Sequence, residues 1–420
     1  MARHLNSPRF AVAPLAIIVA LILSGTSGAQ NAPAVPGQLI VRFKDSVSKD
    51  TIDGVHQFMG VNANRVTPAD PQLYVIDLPQ GMDEASGLNI FGNLQAIEYA
   101  ERNLLYESSA IPNDPLWSQL WGMRAISAPD AWDITTGDPS IVIADTDTGA
   151  DYNHVDLGAN VWVNQGEICD NGIDDDGNGY VDDCIGWNFF NNNNNPSDSA
   201  GHGSNTAGIM GAVGNNGIGV TGLMWNAQIM LLKMGNGSFP VTAIVPAIDY
   251  AWANGARIIN ASWGGGFSAS IRDAIQRAND VGVLFVTAAG NNGRNIDLVP
   301  TYPASLDIPN IIAVANTTSA DVLYSSSNWG PNTVHLAAPG TNIVSTYPGN
   351  RYAAYVGTSQ AAPHVAATAG LILSVNPYLS YLDVKNIILS SVDPIPALAD
   401  RVITGGRLNA SAALQITPLP

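Results

Sequence analysis

The sequence Tyr-Val-Gly-Thr-Ser-Gln-Ala-Ala-Pro-His-Val occupies residues 355–365, and the rest of the chain is best interpreted from it. An apolar, alanine-rich run with helical character follows at Ala366–Val375, which places Ser359 at a helix N-terminus. We expect Pro363 to lie in the first helical turn, where its missing N–H costs no internal hydrogen bond. Ser359 is then either an N-cap or a nucleophile close to backbone N–H groups that can stabilise an oxyanion.

Two further segments offer an acid and a base. Asp147 directly follows a predicted buried strand, so it either stabilises a turn or orients a histidine. His202 lies between Gly201 and Gly203 at the start of an apolar helix. A lone histidine is usually structural, but the two glycines allow close backbone approach and leave this ring accessible. Together with Ser359, these residues follow the order acid, base, nucleophile.

The chain beyond Trp117 alternates apolar runs with helical segments. This alternation predicts an α/β fold with a mostly parallel sheet covered on both faces. Catalytic residues of such sheets gather at the carboxyl ends of the strands. The predicted strands are Ile141–Ala144, Ile229–Lys233, Arg257–Ser262, Val283–Ala288 and Ile311–Ala315. The predicted helices are Val241–Ala253 and Ser268–Asn279.

From about Asn113 through Leu408, the chain resembles the subtilisin-like serine proteases, or subtilases, whose acid, base and nucleophile follow this order. The resemblance implies a subtilisin-like three-layer fold and serine endopeptidase activity. It also implies that Ser359 attacks the peptide carbonyl, that His202 carries the proton, and that Asp147 holds the imidazole. An acid-active protease of the sedolisin type is the alternative within this class. Such an enzyme uses a carboxylate as its base, and this alternative gives His202 no role.

The same resemblance assigns residues that bind the substrate. The segment ending at Gly290 and Asn291 matches the family's oxyanion segment, so Asn291 would donate its amide to the tetrahedral oxyanion. Ser262, Trp263 and Gly264 lie in a segment that resembles the substrate strand, where an extended peptide pairs by strand addition and the P1 side chain finds its pocket. A purely structural strand is the alternative.

The first residues of the chain have the composition of a secretory signal. Met1–Ala29 has a basic start, an apolar core at Ala11–Leu23, and small residues before Gln30. A membrane anchor is the alternative, but the apolar run is short for a span. We therefore expect an exported protein with no membrane association once the signal is removed. Because the chain ends shortly after the segment resembling the family's terminal helix, we expect no further C-terminal domain.

Residues 30–110 predict a small α+β, ferredoxin-like unit with strands at Gln38–Phe43, Gln72–Leu78 and Tyr99–Leu105. An exposed connection follows at Ser108–Pro115. This unit is either an independent domain or a removable pro-segment. It resembles the subtilase propeptide, an inhibitor and folding aid, which implies cleavage near Ala110 and a catalytic domain at residues 111–420.

The charge balance limits the possible partners. Of 420 residues, 17 are basic and 35 acidic, which gives a net charge of −18. Nucleic acid is therefore not expected as a partner, because phosphate binding needs clustered Lys and Arg. Divalent cations are compatible with this balance. We expect a monomer whose partners are peptide substrates and its own propeptide.

An acidic insertion at about residues 165–186 has the spacing of an EF-hand-type calcium loop. Ile185 stands where such a loop has its bidentate acid, so the loop would bind weakly, borrow ligands, or be only a solvated acidic turn. Cys169 and Cys184, the only two cysteines, bracket the loop and most simply pair in an oxidising compartment. The expected calcium ligands are Asp174, Asp176, Asn178, Tyr180 and Asp182.

A second structural calcium site is implied by the family resemblance alone. Three segments of the chain match the subtilase segments that jointly hold this ion. The implied ligands are side-chain oxygens of Asp114, Asp156 and Asn216, and carbonyls of Val213, Ile218 and Val220.

Three positions depart from the family. Asp145 stands where a buried aliphatic residue is usual, two residues before Asp147 and on the same strand face. Two carboxylates about 7 Å apart in a low dielectric should raise one pKa. Asp145 therefore supports an alternative function, a catalytically impaired binding or scaffold protein. Asn205 replaces a usual second histidine and Gln360 a usual methionine, and neither change touches the proton path.

Overall fold

The computed structural model of the protein describes residues 34–105 and 110–420. The predicted signal peptide at residues 1–29 lies outside this range, as do residues 106–109 of the predicted connection. The chain divides into two compact units, Met1–Ser108 and Ser109–Pro420. The propeptide boundary near residue 110 remains a prediction. No helix in the described part of the chain combines the length and the apolar composition needed to cross a bilayer.

The N-terminal unit is an antiparallel sheet with strand order β2-β3-β1-β4 and two helices. Its elements are β1 (Ala34–Phe43), α1 (Lys49–Met59), β2 (Asn62–Thr67), β3 (Asp70–Asp77), α2 (Glu84–Gly92) and β4 (Ile97–Leu104). The element order βαββαβ is the predicted ferredoxin-like one. The sequence patterns do not reveal β2, because it is a largely polar edge strand without apolar alternation.

The second unit is built on a nine-stranded, mostly parallel sheet. Its helices and strands are α3 (Trp121–Ala125), α4 (Ala128–Trp132), β5 (Val142–Asp147), β6 (Gly186–Asn188), α5 (His202–Gly211), β7 (Gln228–Lys233), α6 (Val241–Ala253), β8 (Ile258–Ala261), α7 (Ala269–Asp280), β9 (Leu284–Ala288), β10 (Ile311–Thr317), β11 (Leu336–Pro339), β12 (Ile343–Tyr347), β13 (Arg351–Tyr355), α8 (Thr358–Val375), α9 (Tyr381–Ser390), β14 (Asp393–Pro394), β15 (Gly406–Arg407) and α10 (Ala410–Gln415).

Helices cover both faces of this sheet, whose order is β14-β15-β11-β10-β9-β8-β5-β7-β6. One apolar core lies between the sheet and the buried faces of α5 and α8, and the other lies against α6 and α7. The predicted three-layer α/β fold is confirmed. The five predicted strands and two predicted helices all form, with ends shifted by at most three residues and the helix Val241–Ala253 unchanged.

The strand order places the candidate site residues next to one another. β5 lies between β7 and β8, and β9 follows β8. Because these strands are parallel, their carboxyl ends meet at one edge of the sheet. Asp147 ends β5, Ser262 follows β8, and Gly290 and Asn291 follow β9 shortly after its last residue. The helices that begin with His202 and Thr358 complete the same edge.

Candidate active site

Asp147 is fully buried at the end of β5 and faces His202. Its two carboxylate oxygens lie 2.8 and 2.9 Å from Nδ1 of His202, and Oδ1 also accepts a hydrogen bond from the N–H of Thr148 at 2.7 Å. The chain turns away immediately at Gly149, which has a φ of +83°. A Cβ at this glycine would lie 1.9 Å from the carbonyl oxygen of Pro196, so the turn requires glycine.

His202 is the first residue of α5, and its flanking glycines allow two close contacts. A Cβ at Gly201 would lie 2.1 Å from the ring of Tyr347, and one at Gly203 would lie 2.1 Å from the carbonyl of Gly149. The glycines therefore allow the helix start to approach both the turn after β5 and the end of β12. Burial disfavours the charged imidazole, but the charge of Asp147 and the hydrogen bond to it outweigh this effect and raise the pKa of His202 above the ordinary histidine value.

Ser359 is the second residue of α8, and its side chain lies at the same edge of the sheet. Its Oγ donates to the carbonyl oxygen of Ser262 at 3.1 Å. His202 and Ser262, the residue whose carbonyl accepts this hydrogen bond, both line one cleft of about 610 Å³. Hydrogen bonds between nucleophile and base are often loose before substrate binds.

The prediction that Pro363 lies in the first turn of the helix is wrong. Because α8 begins at Thr358, Pro363 is its sixth residue, where an ordinary residue would donate to the carbonyl of Ser359. That carbonyl instead accepts a hydrogen bond from the hydroxyl of Ser262 at 2.8 Å. The proline thus leaves the nucleophile's own carbonyl free to bind the segment that follows β8.

Asn291 has the geometry of an oxyanion donor. Its Oδ1 accepts hydrogen bonds from the backbone N–H of Thr358 at 2.8 Å and from the Thr358 hydroxyl at 3.1 Å. The Thr358 hydroxyl also lies 3.1 Å from the N–H of Gly290. These contacts fix the amide with its nitrogen on the opposite side, and this nitrogen has no hydrogen bond to the described part of the chain.

Asn328 supports this segment, and sequence reasoning did not find it. Its Nδ2 donates to the carbonyl of Ala289 at 2.9 Å, and its Oδ1 accepts from the N–H groups of Asn292 and Arg294 at 3.0 and 3.2 Å. A Cβ at Gly290 would lie 2.5 Å from this Nδ2. Asn328 lies outside every motif, in a serine-rich stretch with no distinguishing pattern, so only the tertiary structure reveals its role.

The predicted substrate residues form one wall of the cleft. Ser262, Trp263 and Gly264 line it with His202, and the Trp263 indole N–H donates to the Thr146 hydroxyl at 3.1 Å. The predicted residue Gly290 does not line this cleft, and belongs instead to the oxyanion segment. Apolar groups that the sequence analysis did not single out complete the cleft. They are Phe239, Val241, Ile244, Phe267, Ile271 and Leu306.

The other two residues that depart from the family, Asn205 and Gln360, adjoin the candidate triad residues and form a hydrogen bond with each other. Gln360 is buried, and its amide nitrogen donates to Oδ1 of Asn205 at 3.3 Å. Asn205 in turn donates to the carbonyl of Ala353 at 3.2 Å. The two unusual side chains therefore form one pair, which the sequence could not show because 155 residues separate them.

Comparison with known proteins identifies the family. The Subtilase family model matches residues 138–410, and the Fervidolysin N-terminal prodomain model matches residues 23–103. Thermitase from Thermoactinomyces vulgaris is 37% identical over 308 residues, which cover 72% of this chain and 99% of thermitase. The chain belongs to the subtilase family. The predicted family and fold class are thereby confirmed.

Other relatives agree with this assignment. The thermophilic serine proteinase of Bacillus sp. (strain AK1) is 32% identical over 90% of this chain and 88% of its own length. Subtilisin-like protease 1 of Plasmodium vivax is 35% identical over 72% of this chain, and the chain spans about half of that relative, 52%. A protease from Pseudoalteromonas arctica PAMC 21717 superposes with a TM-score of 0.60 at 28% identity, over 74% of this chain and 100% of that structure.

The acidic loop of this subtilase is closed by a disulfide between Cys169 and Cys184. Within it the structure gathers carboxylates of Glu167, Asp176 and Asp183, whose oxygens lie within 4.8 Å of one another. Three carboxylates converging in this way are a donor set that suits a hard cation such as calcium.

Only part of the predicted ligand set faces this acidic cluster, which consists of Glu167, Asp176 and Asp183. Asn178 does, because its amide donates to Asp176 and Asp183. Asp174 instead accepts from backbone N–H groups of the loop, and Asp182 accepts from those of residues 171 and 172. The missing acid at position twelve implied a borrowed ligand, and Glu167 is positioned to be that ligand. The role of Tyr180 as a ligand stays a prediction.

The segments of the second predicted calcium site also meet. Asp114 accepts from the N–H groups of Asn215 and Asn216 at 2.8 and 3.4 Å, and Asp156 accepts from the side chain of Asn216 at 2.8 Å and from the N–H of Val220 at 2.9 Å. Burial raises the pKa of both carboxyl groups, and the charge of Asp114 further raises that of Asp156. A bound cation would relieve this repulsion.

The carbonyl ligands of this second site stay predictions. Val213 adjoins Asp156, because its N–H donates to the Asp156 carbonyl at 2.8 Å. Ile218 and Val220 belong to the segment whose N–H groups bind the side chains of Asn216 and Asp156. All three residues therefore lie close to the two buried carboxyl groups.

Proposed function

We propose that this subtilase is a secreted serine endopeptidase made as a self-processing zymogen. The observation that carries the proposal is the meeting of three chemically matched groups at one sheet edge. Asp147 binds Nδ1 of His202, and Ser359 Oγ donates to the carbonyl of Ser262, which lines the same cleft as His202.

In the proposed reaction, Ser359 Oγ attacks the scissile carbonyl carbon while His202 Nε2 takes the hydroxyl proton. The buried Asp147 keeps Nδ1 protonated and stabilises the imidazolium that forms. The negative oxygen of the tetrahedral intermediate is held by the Asn291 amide and by the N–H of Ser359 at the start of α8. His202 then returns its proton to the leaving amine, and water repeats the sequence on the acyl-enzyme.

The proposed substrate is an extended peptide that pairs with the segment Ser262–Gly264. A cleft lined by Phe239, Ile244 and Trp263 can bury apolar side chains of that peptide next to the triad. The proposed substrates are proteins and peptides.

The processing scheme follows the predicted boundaries: a signal at 1–29, a propeptide at 30–110 and a catalytic domain at 111–420. It is supported by the prodomain match at residues 23–103 and by the compactness of the N-terminal unit. We propose that this unit inhibits the enzyme until cleavage near Ala110, and that the mature enzyme is monomeric and calcium-stabilised. The calcium part rests on Glu167, Asp176 and Asp183 and on the buried pair Asp114 and Asp156.

The alternative, an impaired scaffold protein, rests on Asp145 alone. Its carboxyl group is fully buried beside Asp147, yet the contact between Asp147 and His202 has ordinary hydrogen-bond distances. This intact contact favours the peptidase over the alternative.

The deciding experiment measures the mass of the secreted product from wild type and from Ser359→Ala, followed by casein hydrolysis with each. We expect wild type to lose its N-terminal unit near Ala110 and to digest casein, and the variant to do neither. If both proteins keep the N-terminal unit and neither cuts casein, the proposed function is wrong.

A further inference from the structure

We propose that Asp145 is a neutral carboxylic acid that positions the nucleophile through a chain of buried hydrogen bonds. In this arrangement it donates to the hydroxyl of Thr206 and accepts from the amide of Asn260, and the chain ends at the backbone of Ser359. The inference rests on the proposed peptidase function, because it assigns a positioning role within the same site.

The hydrogen bonds around Thr206 accommodate a protonated Asp145. Thr206 Oγ1 lies 2.8 Å from Asp145 Oδ2, 3.0 Å from the carbonyl of Gly203 and 3.4 Å from that of His202. A hydroxyl has one proton, and a carbonyl or a carboxylate can only accept. If Asp145 carries a proton on Oδ2, it donates to Thr206, and Thr206 donates to Gly203. Both contacts are then satisfied.

The charges around Asp145 favour the same state. Asp147 on the same strand contacts Nδ1 of His202 from α5, while the ammonium group of Lys233 from β7 donates to the carbonyls of Thr148 and Ser197. The polar partners of Asp145 from α5 and β8 are the neutral Thr206 and Asn260.

The helix α8 adds no charge next to this carboxyl group. Its only titratable residue is His364, whose pKa is lowered by burial to about 4, so the ring is neutral. For Asp145 itself, burial and then the charge of Asp147 raise the pKa. No cation is left in the described part of the chain to pair with a second carboxylate here.

The hydrogen-bond chain leads from Asp145 to the nucleophile's backbone. Asn260 Nδ2 has two protons and lies 2.8 Å from Asp145 Oδ1 and 3.1 Å from Ser262 Oγ. Ser262 Oγ donates to the carbonyl of Ser359 at 2.8 Å, the same carbonyl that Pro363 leaves without a helical donor. Asp145 therefore fixes the amide of Asn260, and through it the Ser262 hydroxyl and the start of α8.

A neutral acid can do this without disturbing the base. An ionised Asp145 would place a second negative charge near His202 and favour the imidazolium, which cannot accept the proton of Ser359. Protonated Asp145 keeps the hydrogen bonds and adds no charge. This makes the departure from the family compatible with full activity.

The charge state is tested by infrared difference spectroscopy on the full chain. Ser359→Ala serves as the background, because its preparation needs no activity and it cannot digest itself. We expect the C=O stretching band of a protonated carboxylic acid at neutral pH in S359A and its absence in S359A/D145N, with loss of the band as the pH is raised. Spectra of S359A and S359A/D145N without this difference at neutral pH would overturn the proposal.

The positioning role is tested by pH profiles of kcat/KM for wild type, D145N and D145V, normalised by titration of the active serine with a fluorophosphonate. Because Asn keeps both hydrogen bonds without a charge, D145N should rescue activity to within about tenfold and leave the acid limb in place, whereas D145V should lose up to about 100-fold in kcat. An acid limb that moves down by about one to two pH units in D145N would show that Asp145 is ionised.

The two tests separate this inference from the proposed function. A wild-type chain that never reacts with the fluorophosphonate contradicts the peptidase function and the positioning role that rests on it. The infrared band still decides whether Asp145 is neutral. Activity of D145V equal to that of D145N would overturn the positioning role while leaving the peptidase function intact.

Discussion

Buried acids at the end of β5 and in the loop at residues 165–186 of this subtilase have different partners. At the end of β5, Asp147 has an imidazole against both of its oxygens, and Asp145 has two neutral hydrogen-bond partners. In the loop, Asp183 receives hydrogen bonds from Asn164, Asn178 and the hydroxyl of Tyr250, and no Lys, Arg or His of the described chain pairs with the acidic cluster.

The difference shows two ways to bury acids. The strand end balances its own charge, because one acid has a histidine and the other can hold a proton. The loop arranges oxygens and amide donors but lacks a positive group of its own, so it depends on a cation from solution. We therefore expect substitutions at the strand end to change the chemistry, and substitutions in the loop to change stability.

The largest effect is expected at the strand end. Asp147→Asn should lower kcat by about 10⁴-fold, because the amide no longer holds the His202 tautomer that can accept a proton at Nε2. Steady-state kinetics on protein quantified by absorbance measures this loss. Asp145→Asn is the matched control, with the same chemical change two residues earlier on the same strand, and equal losses in the two variants would remove the distinction between the two acids.

The disulfide should have the next largest effect, on stability. Its closure of a loop with a sequence separation of 15 contributes about 3 kcal/mol. Urea unfolding of Cys169→Ser/Cys184→Ser in the S359A background, where self-digestion is absent, measures the change. Reduction of the S359A protein itself by dithiothreitol is the control and should give a similar loss. An unchanged unfolding midpoint would show that the bond does not hold the loop.

Calcium should stabilise the loop without changing the chemistry. At a free concentration of about 100 times Kd, binding to the folded state contributes about 2.7 kcal/mol, which raises Tm by several degrees. Asp176→Asn should abolish most of this rise in the S359A background, measured by calorimetry with calcium and with EDTA. Asp170→Asn is the matched control, because it removes one exposed charge from the same loop outside the acidic cluster. A rise that is equal in both variants would place the ion elsewhere.

The pH dependence should have the smallest effect. His202 must be neutral to accept the proton, and the neighbouring charge of Asp147 raises its pKa toward about 9. We therefore expect kcat/KM to fall about tenfold per pH unit on the acid side, with the midpoint of this fall between the ordinary histidine pKa and about pH 9. Stopped assays with a neutral peptide substrate measure this limb. A limb near pH 4 would indicate a carboxylate base and contradict the assignment of His202.

The sequence predicts the α/β layers well, because buried parallel strands have continuous apolar runs. It also singles out the candidate triad residues, of which the structure brings Asp147 and His202 into contact, and their catalytic roles stay predictions. Asn328 could not be predicted as support for the oxyanion segment, because it acts through contacts 34 and 36 residues away. Glu167 lies within the predicted acidic insertion but outside its EF-hand-type spacing, so only the structure shows that it joins the acidic cluster. The helix start was the error: α8 begins at Thr358, so Pro363 falls one turn later than expected.

That proline has a practical consequence for anyone redesigning the specificity of this enzyme. The cleft wall at Ser262 and the helix that carries Ser359 share a hydrogen bond to a carbonyl that Pro363 leaves without a helical donor. Mutagenesis libraries that vary the wall therefore also move the nucleophile, and selections for a new P1 residue should vary Ser262 and Pro363 together.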